Sequence, residues 1–186
     1  MVALVSRTGR HLQRYNKGRR QVVGCIPYRY KVNPKGSLEK EEVEVLVISS
    51  QKGKGMMFPK GGWESDESLE EAASRETLEE AGVLGIVQGG LGKWFFKSKT
   101  HDSCYEGFMF PLLVEEELDL WPEMNVRQRK WISVKEAREV CLHWWMKEAL
   151  DILVLRLESS HSQPPQKQQE EEEEEEEEGV GPCSLS

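Results

Sequence analysis

The chain has 186 residues, a formal net charge of −8 and 31% charged against 38% hydrophobic side chains, which suits one domain with a core plus tails and is short for two. Its four cysteines, Cys25, Cys104, Cys141 and Cys183, lie far apart without a Cys-x-x-Cys pair, which argues against a zinc site or a disulfide framework and fits a reducing compartment. No apolar run approaches the roughly 18–20 residues that cross a bilayer, and no signal-peptide core follows the N-terminus, so a cytoplasmic protein with no membrane partner is expected, with nucleus or mitochondrion as other compartments.

In chain order, the first 38 residues hold nine Lys or Arg and no acid. Such asymmetry suggests an anionic ligand. Residues 1–17 read as a basic arm, either a solvated extension or an acid-poor targeting segment. Residues 21–30 (QVVGCIPYRY) and 42–50 (EVEVLVISS) read as strands joined by a polar loop with Asn33, Pro34 and Gly36. A helix follows over 69–81: Ser68 with Glu71 fits a capping box, and Gly82 sits where a C-terminal cap belongs. Residues 91–97, 105–114 and 129–134 are further strand candidates. Ser133 with Glu136 forms a second capping box opening a helix over 134–141, and an apolar helix spans 144–157. This irregular alternation predicts an α/β fold in which helices sandwich a mixed sheet. The main domain is placed at 18–157. Residues 158–186, with an unbroken run from Glu170 to Glu178, read as a disordered acidic tail. Without that tail the chain carries 23 acids and 24 bases, so the body is close to neutral.

The helix over 69–81 carries the chemistry. At about 100° per residue, Leu69, Ala72, Ala73, Glu76 and Glu80 share one stripe, with Glu79 on its shoulder. Carboxylates thus continue the apolar face, while Leu78 occupies the side where a solvated charge run belongs. Three carboxylates within one turn raise one another's pKa unless a cation neutralises them. Oxygen ligands without neighbouring Cys or His favour magnesium or manganese over zinc.

The same stretch reads Gly61, five residues, Glu67, seven residues, then Arg75-Glu76-Thr77-Leu78-Glu79-Glu80-Ala81-Gly82-Val83. It resembles the Nudix box, the signature of hydrolases that cleave a diphosphate linked to a further group. The resemblance implies the Nudix α/β/α sandwich, with Glu76 and Glu80 as metal ligands, Glu79 as the base that deprotonates the attacking water and a further metal contact, and the backbone carbonyl of Lys60 completing the metal sphere. It also implies that Glu67 and Arg75 pair structurally. Thr77 stands where the family prefers a bulky aliphatic residue.

The segments "SRTGRHLQRYNKGRRQVVGCIPYRY", "VLVISSQKGKGMMFPKGGWE" and "VRQRKWISVKEAREVCLHWWMKEAL" extend the likeness over residues 5–157 to the plant-type diphosphoinositol polyphosphate phosphohydrolase branch. That branch removes the β-phosphate from inositol pyrophosphates and also cleaves dinucleoside polyphosphates. By this resemblance Arg14, Arg19, Arg20, Arg127 and Arg129 occupy positions of phosphate-binding cations, and Ser49 and Ser50 match hydroxyl donors. Arginine suits multidentate phosphate contacts. Lys97, Lys99 and His101 match the branch's basic loop only loosely. Trp63, after the box glycines, is placed at the border of the substrate mouth. The expected partner is a small polyphosphate bound by a monomer, with no nucleic acid. Two other readings stand beside this one: a nucleotide-sugar or NADH pyrophosphatase, and a sensor that binds such anions without turnover.

Overall fold

The structure is a computed structural model, and residues 5–31, 42–98 and 102–161 are described. The loop with Asn33, Pro34 and Gly36, the residues Lys99 and His101, and the acidic run lie outside those residues.

The elements in chain order are β1 (Tyr15–Asn16), β2 (Arg19–Lys31), β3 (Glu42–Ser49), β4 (Met56–Met57), β5 (Lys60–Gly62), α1 (Leu69–Ala81), β6 (Val83–Val87), β7 (Gly92–Lys97), β8 (Cys104–Glu117), β9 (Arg129–Ser133), α2 (Val134–Val140) and α3 (Trp144–His161). The strands form one mixed sheet around a parallel pair, in which Arg20–Tyr28 of β2 run beside Tyr105–Leu113 of β8. Antiparallel neighbours flank this pair. β3 takes the C-terminal half of β2 and β5 its N-terminal half; β6 and β7 take opposite ends of β8, and β9 lies beside β3. One core of Val, Ile, Leu, Met and aromatic side chains lines the sheet, with Ile26, Leu46, Ile48, Phe58, Met109 and Leu153 almost fully enclosed.

Helices cover both faces, the sandwich predicted from the sequence. On one face the Cys25 thiol donates to the Ala73 carbonyl of α1. On the other, Trp145 of α3 stacks on Phe96 at 4.5 Å between ring centroids. Successive side chains of a strand alternate between faces, so Arg19, Gln21 and Val23 share the α1 face with Cys25. Arg20, Val22 and Gly24 look the other way.

The predicted long strands and all three helices appear, with shifted ends. β8 runs three residues past 114 because Val83 and Leu84 of β6 pair with Glu117 and Glu116. α3 continues to His161 rather than stopping at 157, so residues 158–161 are helix and not tail. Ser159 and Ser160 return their hydroxyls to the carbonyls of Leu155 and Arg156, and Arg156 is tied to the carbonyls of Gly89 and Gly90. At the N-terminal end the Arg14 N–H donates to the Trp63 carbonyl and the Ser65 N–H to the Leu12 carbonyl, which joins residues 12–14 to the body. The second capping box is half formed: Ser133 Oγ accepts the Glu136 N–H.

Candidate active site

Two local devices place the carboxylates. The capping box is complete, with Ser68 Oγ accepting the Glu71 N–H and Glu71 returning to the Ser68 N–H, so the start of α1 is fixed. Gly82 ends it in the left-handed conformation, φ 66°, and its N–H satisfies the Leu78 carbonyl. Between these caps, Glu76, Glu79 and Glu80 are buried, at 8%, 7% and 7% exposure. Thr77 is fully enclosed, and its hydroxyl donates to the Ala73 carbonyl at 2.7 Å, so the departure from the box pattern leaves no unpaired polar atom.

β5 brings the main chain against this helix. Gly61 pairs with Val23 and faces α1, so close to Glu76 that a Cβ there would lie 2.1 Å from the carboxylate. The Lys60 N–H donates to Glu80 Oε2 at 2.9 Å, which puts Lys60 and its carbonyl beside the cluster. Arg75 grips Glu67 with two hydrogen bonds, at 2.8 and 2.6 Å, and donates to the Gly62 carbonyl at 3.0 Å. The turn after β5 is thereby braced against the helix.

Glu76 and Glu79 share Arg75, and Glu79 and Glu80 each have a further donor of their own. Glu76 accepts from Arg75 at 2.8 Å. Glu79 Oε2 accepts from Arg75 at 3.3 Å, and its Oε1 accepts the main-chain N–H of Arg7 at 3.1 Å. Glu80 Oε1 accepts from Arg127 at 2.7 Å. Burial is the main reason the Glu76 carboxyl is pushed up to about 8 and that of Glu80 to about 7, and burial also raises Glu79. Arg75 opposes the shift at Glu76, where Glu80 and Glu79 add to it. Arg127 opposes it at Glu80.

A hard divalent cation fits this donor set. Three buried carboxylates and a nearby main-chain carbonyl offer only oxygen, and burial makes the ionised carboxylates costly unless a cation neutralises them. Among the described residues no group of three His, Cys, Asp or Glu side chains is arranged to hold a metal ion. The carboxylates accept from Arg75, Arg127 and the main-chain N–H groups of Arg7 and Lys60 instead, so binding a cation requires them to turn from those donors.

The predicted phosphate-binding residues divide into groups. Arg127 bridges Glu80 and the Ser49 carbonyl, at 2.7 and 3.0 Å, and lies at the cluster. Arg20 is on the sheet face opposite α1, where its Nε donates to Gln13 Oε1 at 2.7 Å; Gln13 lies over Gly62. The Lys60 side chain covers Gly24 on that same face. Arg19 stacks on Phe95 at 4.7 Å, on the other face by strand alternation, so adjacent arginines do not converge. Arg14 stacks on Trp63 at 4.1 Å and donates to the carbonyls of Glu64, Ser65 and Glu67.

Arg129 is engaged by the fold. It donates to the carbonyls of Ala81, Gly82 and Leu118, pairs with Glu117 and lies 3.9 Å from the Trp121 ring. The side chains of Ser49 and Ser50 accept the N–H groups of Gln128 and Lys54. Sequence reasoning missed Arg7, Gln13, Glu64 and Glu123, the last tied by its N–H to the Glu79 carbonyl and 3.6 Å from Arg127. Glu64 stands inside the box but in one of its open positions, Arg7 and Gln13 lie in the first of the segments that carry the branch likeness without a role assigned there, and Glu123 belongs to no motif.

Residues 30–153 match the NUDIX domain profile. The chain belongs to the Nudix family. Nudix hydrolase 17, mitochondrial, of Arabidopsis thaliana is 68% identical over 164 residues, covering 88% of this chain and 90% of that protein. Diphosphoinositol polyphosphate phosphohydrolase 3-alpha of Mus musculus is 34% identical over 104 residues, 55% of this chain and 62% of the mouse protein. Among solved structures, a C. elegans Ap4A hydrolase in a binary complex superposes with TM-score 0.56 at 20% identity, covering 75% of this chain and 98% of that one. A NUDIX hydrolase from Nitrosomonas europaea reaches 0.60 at 18% identity, over 74% and 90%. At such identities the structural likeness is one of fold. This Nudix protein is a hydrolase of phosphoanhydrides in small phosphate compounds, in a family that typically needs divalent metal ions.

Proposed function

We propose that the chain hydrolyses inositol pyrophosphates, with dinucleoside polyphosphates as second substrates, and that it acts as a monomer. One observation carries the reading: Lys60 and Arg127 meet at Glu80, the Lys60 N–H at 2.9 Å and the Arg127 guanidinium at 2.7 Å. Burial, the largest influence, lowers the Lys60 ammonium; Glu80 and Glu76 pull it up, while Arg127 and Arg20 push it down. Arg20 and Arg127 each act on Lys60, and like charges gathered around a partly buried lysine favour a multiply anionic ligand. The 34% identity to the mouse diphosphoinositol polyphosphate phosphohydrolase supports the same substrate class.

In this reading Glu79 takes a proton from the attacking water, the new P–O bond forms at the β-phosphorus, and the anhydride P–O bond breaks to release inorganic phosphate and the inositol polyphosphate. Glu76, Glu79, Glu80 and the Lys60 carbonyl would hold magnesium or manganese, which when bound supplies neutralisation of charge on the phosphoryl oxygens. Arg20, Arg127 and Lys60 orient the remaining phosphates, with Arg14 and Trp63 at the rim. The water-activating carboxylate beside Arg75 favours turnover over a pure sensor, which has no use for a base.

For compartment, the cytoplasm is the working assignment, and the "mitochondrial" in the name of the Arabidopsis relative with the acid-free N-terminal 38 residues makes the mitochondrion the alternative to test with a fluorescent fusion. The substrate test is side-by-side turnover of an inositol pyrophosphate, diadenosine polyphosphates and NADH. The highest kcat/KM is expected for the inositol pyrophosphate. Preference for NADH would replace this reading with the dinucleotide pyrophosphatase one.

A further inference from the structure

Arg7 lies outside the box, yet its contacts fall on the carboxylates around the site. Its N–H donates to Glu79 Oε1 at 3.1 Å, and its guanidinium binds Glu64 and both oxygens of Asp66, the latter at 2.9 and 3.1 Å. The Glu64 side chain is buried, at 6% exposure, whereas Arg7 and Asp66 are open to solvent on one side. Among the described residues, no other hydrogen bond or ion pair fastens residues 5–9 to the body; the next ties are those of Leu12, Gln13 and Arg14. Among the described residues, Arg7 thus supplies the polar contacts that hold this segment.

A cation shared by Glu76, Glu79 and Glu80 needs the carboxylate oxygens that now accept N–H donors. On Glu79 Oε1, an N–H at hydrogen-bond distance and a divalent ion at about 2.0–2.1 Å crowd one another, and the positive guanidinium of the same residue repels the ion. We propose that the N-terminal segment around Arg7 is a built-in competitor of the divalent cation: segment docked on Glu79, Glu64 and Asp66, and metal held by the α1 carboxylates, are alternative states of the chain. The inference rests on the metal-binding reading given under Proposed function. It makes the N-terminal arm a determinant of metal affinity, so that low cation levels leave the site closed by the protein's own arginine.

The test is Mn2+ binding to the full chain, read by electron paramagnetic resonance of the free ion, with no substrate present. Arg7→Ala removes the guanidinium contacts, and Arg7→Pro also removes the N–H that Glu79 accepts. Mn2+ affinity is expected to rise about tenfold in Arg7→Ala, the size of one charge-assisted hydrogen bond, and further in Arg7→Pro. Glu64→Gln loosens the same segment while deleting a carboxylate, and it too is expected to bind Mn2+ more tightly. In the wild type, saturating Mn2+ should speed tryptic cleavage after Arg7. Unchanged or weaker affinity in the Arg7 variants, weaker affinity in Glu64→Gln, or cleavage that ignores Mn2+ would each overturn the inference while leaving metal binding intact. A wild-type chain that binds no Mn2+ would overturn both this inference and the metal-binding reading.

Discussion

Glu79 and its neighbours set the predictions at the scale of single residues. Glu79→Gln keeps the shape of the side chain and removes the base, so turnover should fall by about 10²-fold or more, with thermal stability near that of the parent. Near-normal turnover at saturating magnesium would remove Glu79 from the role of base. Arg20 and Arg129 should separate cleanly. Among the described residues the Arg20 side chain has Gln13 as its hydrogen-bond partner, so Arg20→Ala is expected to raise KM for the most phosphorylated substrates, each lost charge-assisted contact being worth roughly 1.5–3 kcal/mol, and to spare NADH. Arg129 closes the C-terminal carbonyls of α1 and stacks on Trp121. Arg129→Ala should therefore lower stability by about 1–3 kcal/mol, seen as an earlier denaturant midpoint, and equal losses in kcat/KM for every substrate.

At the scale of elements, α1 and β5 act as one device. Gly61 has no side chain because the Glu76 carboxylate occupies that space. Gly61→Ala should push Glu76 away, cutting turnover and Mn2+ affinity together while circular dichroism stays unchanged. Retention of both would show that the turn and helix can separate without consequence. The legibility of the two elements differs for a physical reason. α1 carries its own signals, caps at both ends and a periodic face, all within fifteen residues of sequence. β5 is Lys-Gly-Gly, a composition that reads as a turn and becomes a strand only because Val22, Val23 and Gly24 of β2 offer it partners. β1, β4 and β6 were equally invisible, since two-residue strands and a short apolar run after a helix cap have no pattern long enough to read.

For the whole molecule, the buried carboxylates link stability to pH. In the folded chain Glu76 and Glu80 hold their protons up to about 8 and about 7, well above the ordinary carboxylate range they regain on unfolding. The folded state therefore binds more protons within that window, and stability should fall as pH rises through it. The metal-free protein is expected to lose on the order of a few kcal/mol, or roughly 5–10 °C of Tm, between about pH 5 and pH 8. Magnesium should restore much of this at the upper end. A Tm that climbs across the window in chelator would contradict the burial argument. Deleting the acidic tail after His161 tests a second long-range effect: nine tethered carboxylates competing with polyphosphate for the arginines should raise apparent KM at low salt, so the shortened chain should show a lower KM whose advantage fades as salt screens the charges. The same KM at every salt concentration would make the tail inert.

The sequence by itself determined the helix over 69–81, its caps and the placing of Glu76, Glu79 and Glu80 on neighbouring turns, because helix geometry is local and has a fixed period. It also determined the alternation of strands and helices that predicts a sandwich, since hydrophobic periodicity is read over short windows. Only the tertiary structure decided which donor each carboxylate meets. Arg75 is adjacent to Glu76, but Arg127 reaches Glu80 from 47 residues away and Arg7 reaches Glu79 from 72. It also decided that Arg19 and Arg20 part company across the sheet, because the pleat sends neighbours to opposite faces and only strand pairing says which face holds the site. Contacts of this kind are chosen by the packing of the whole chain, and no local pattern encodes them.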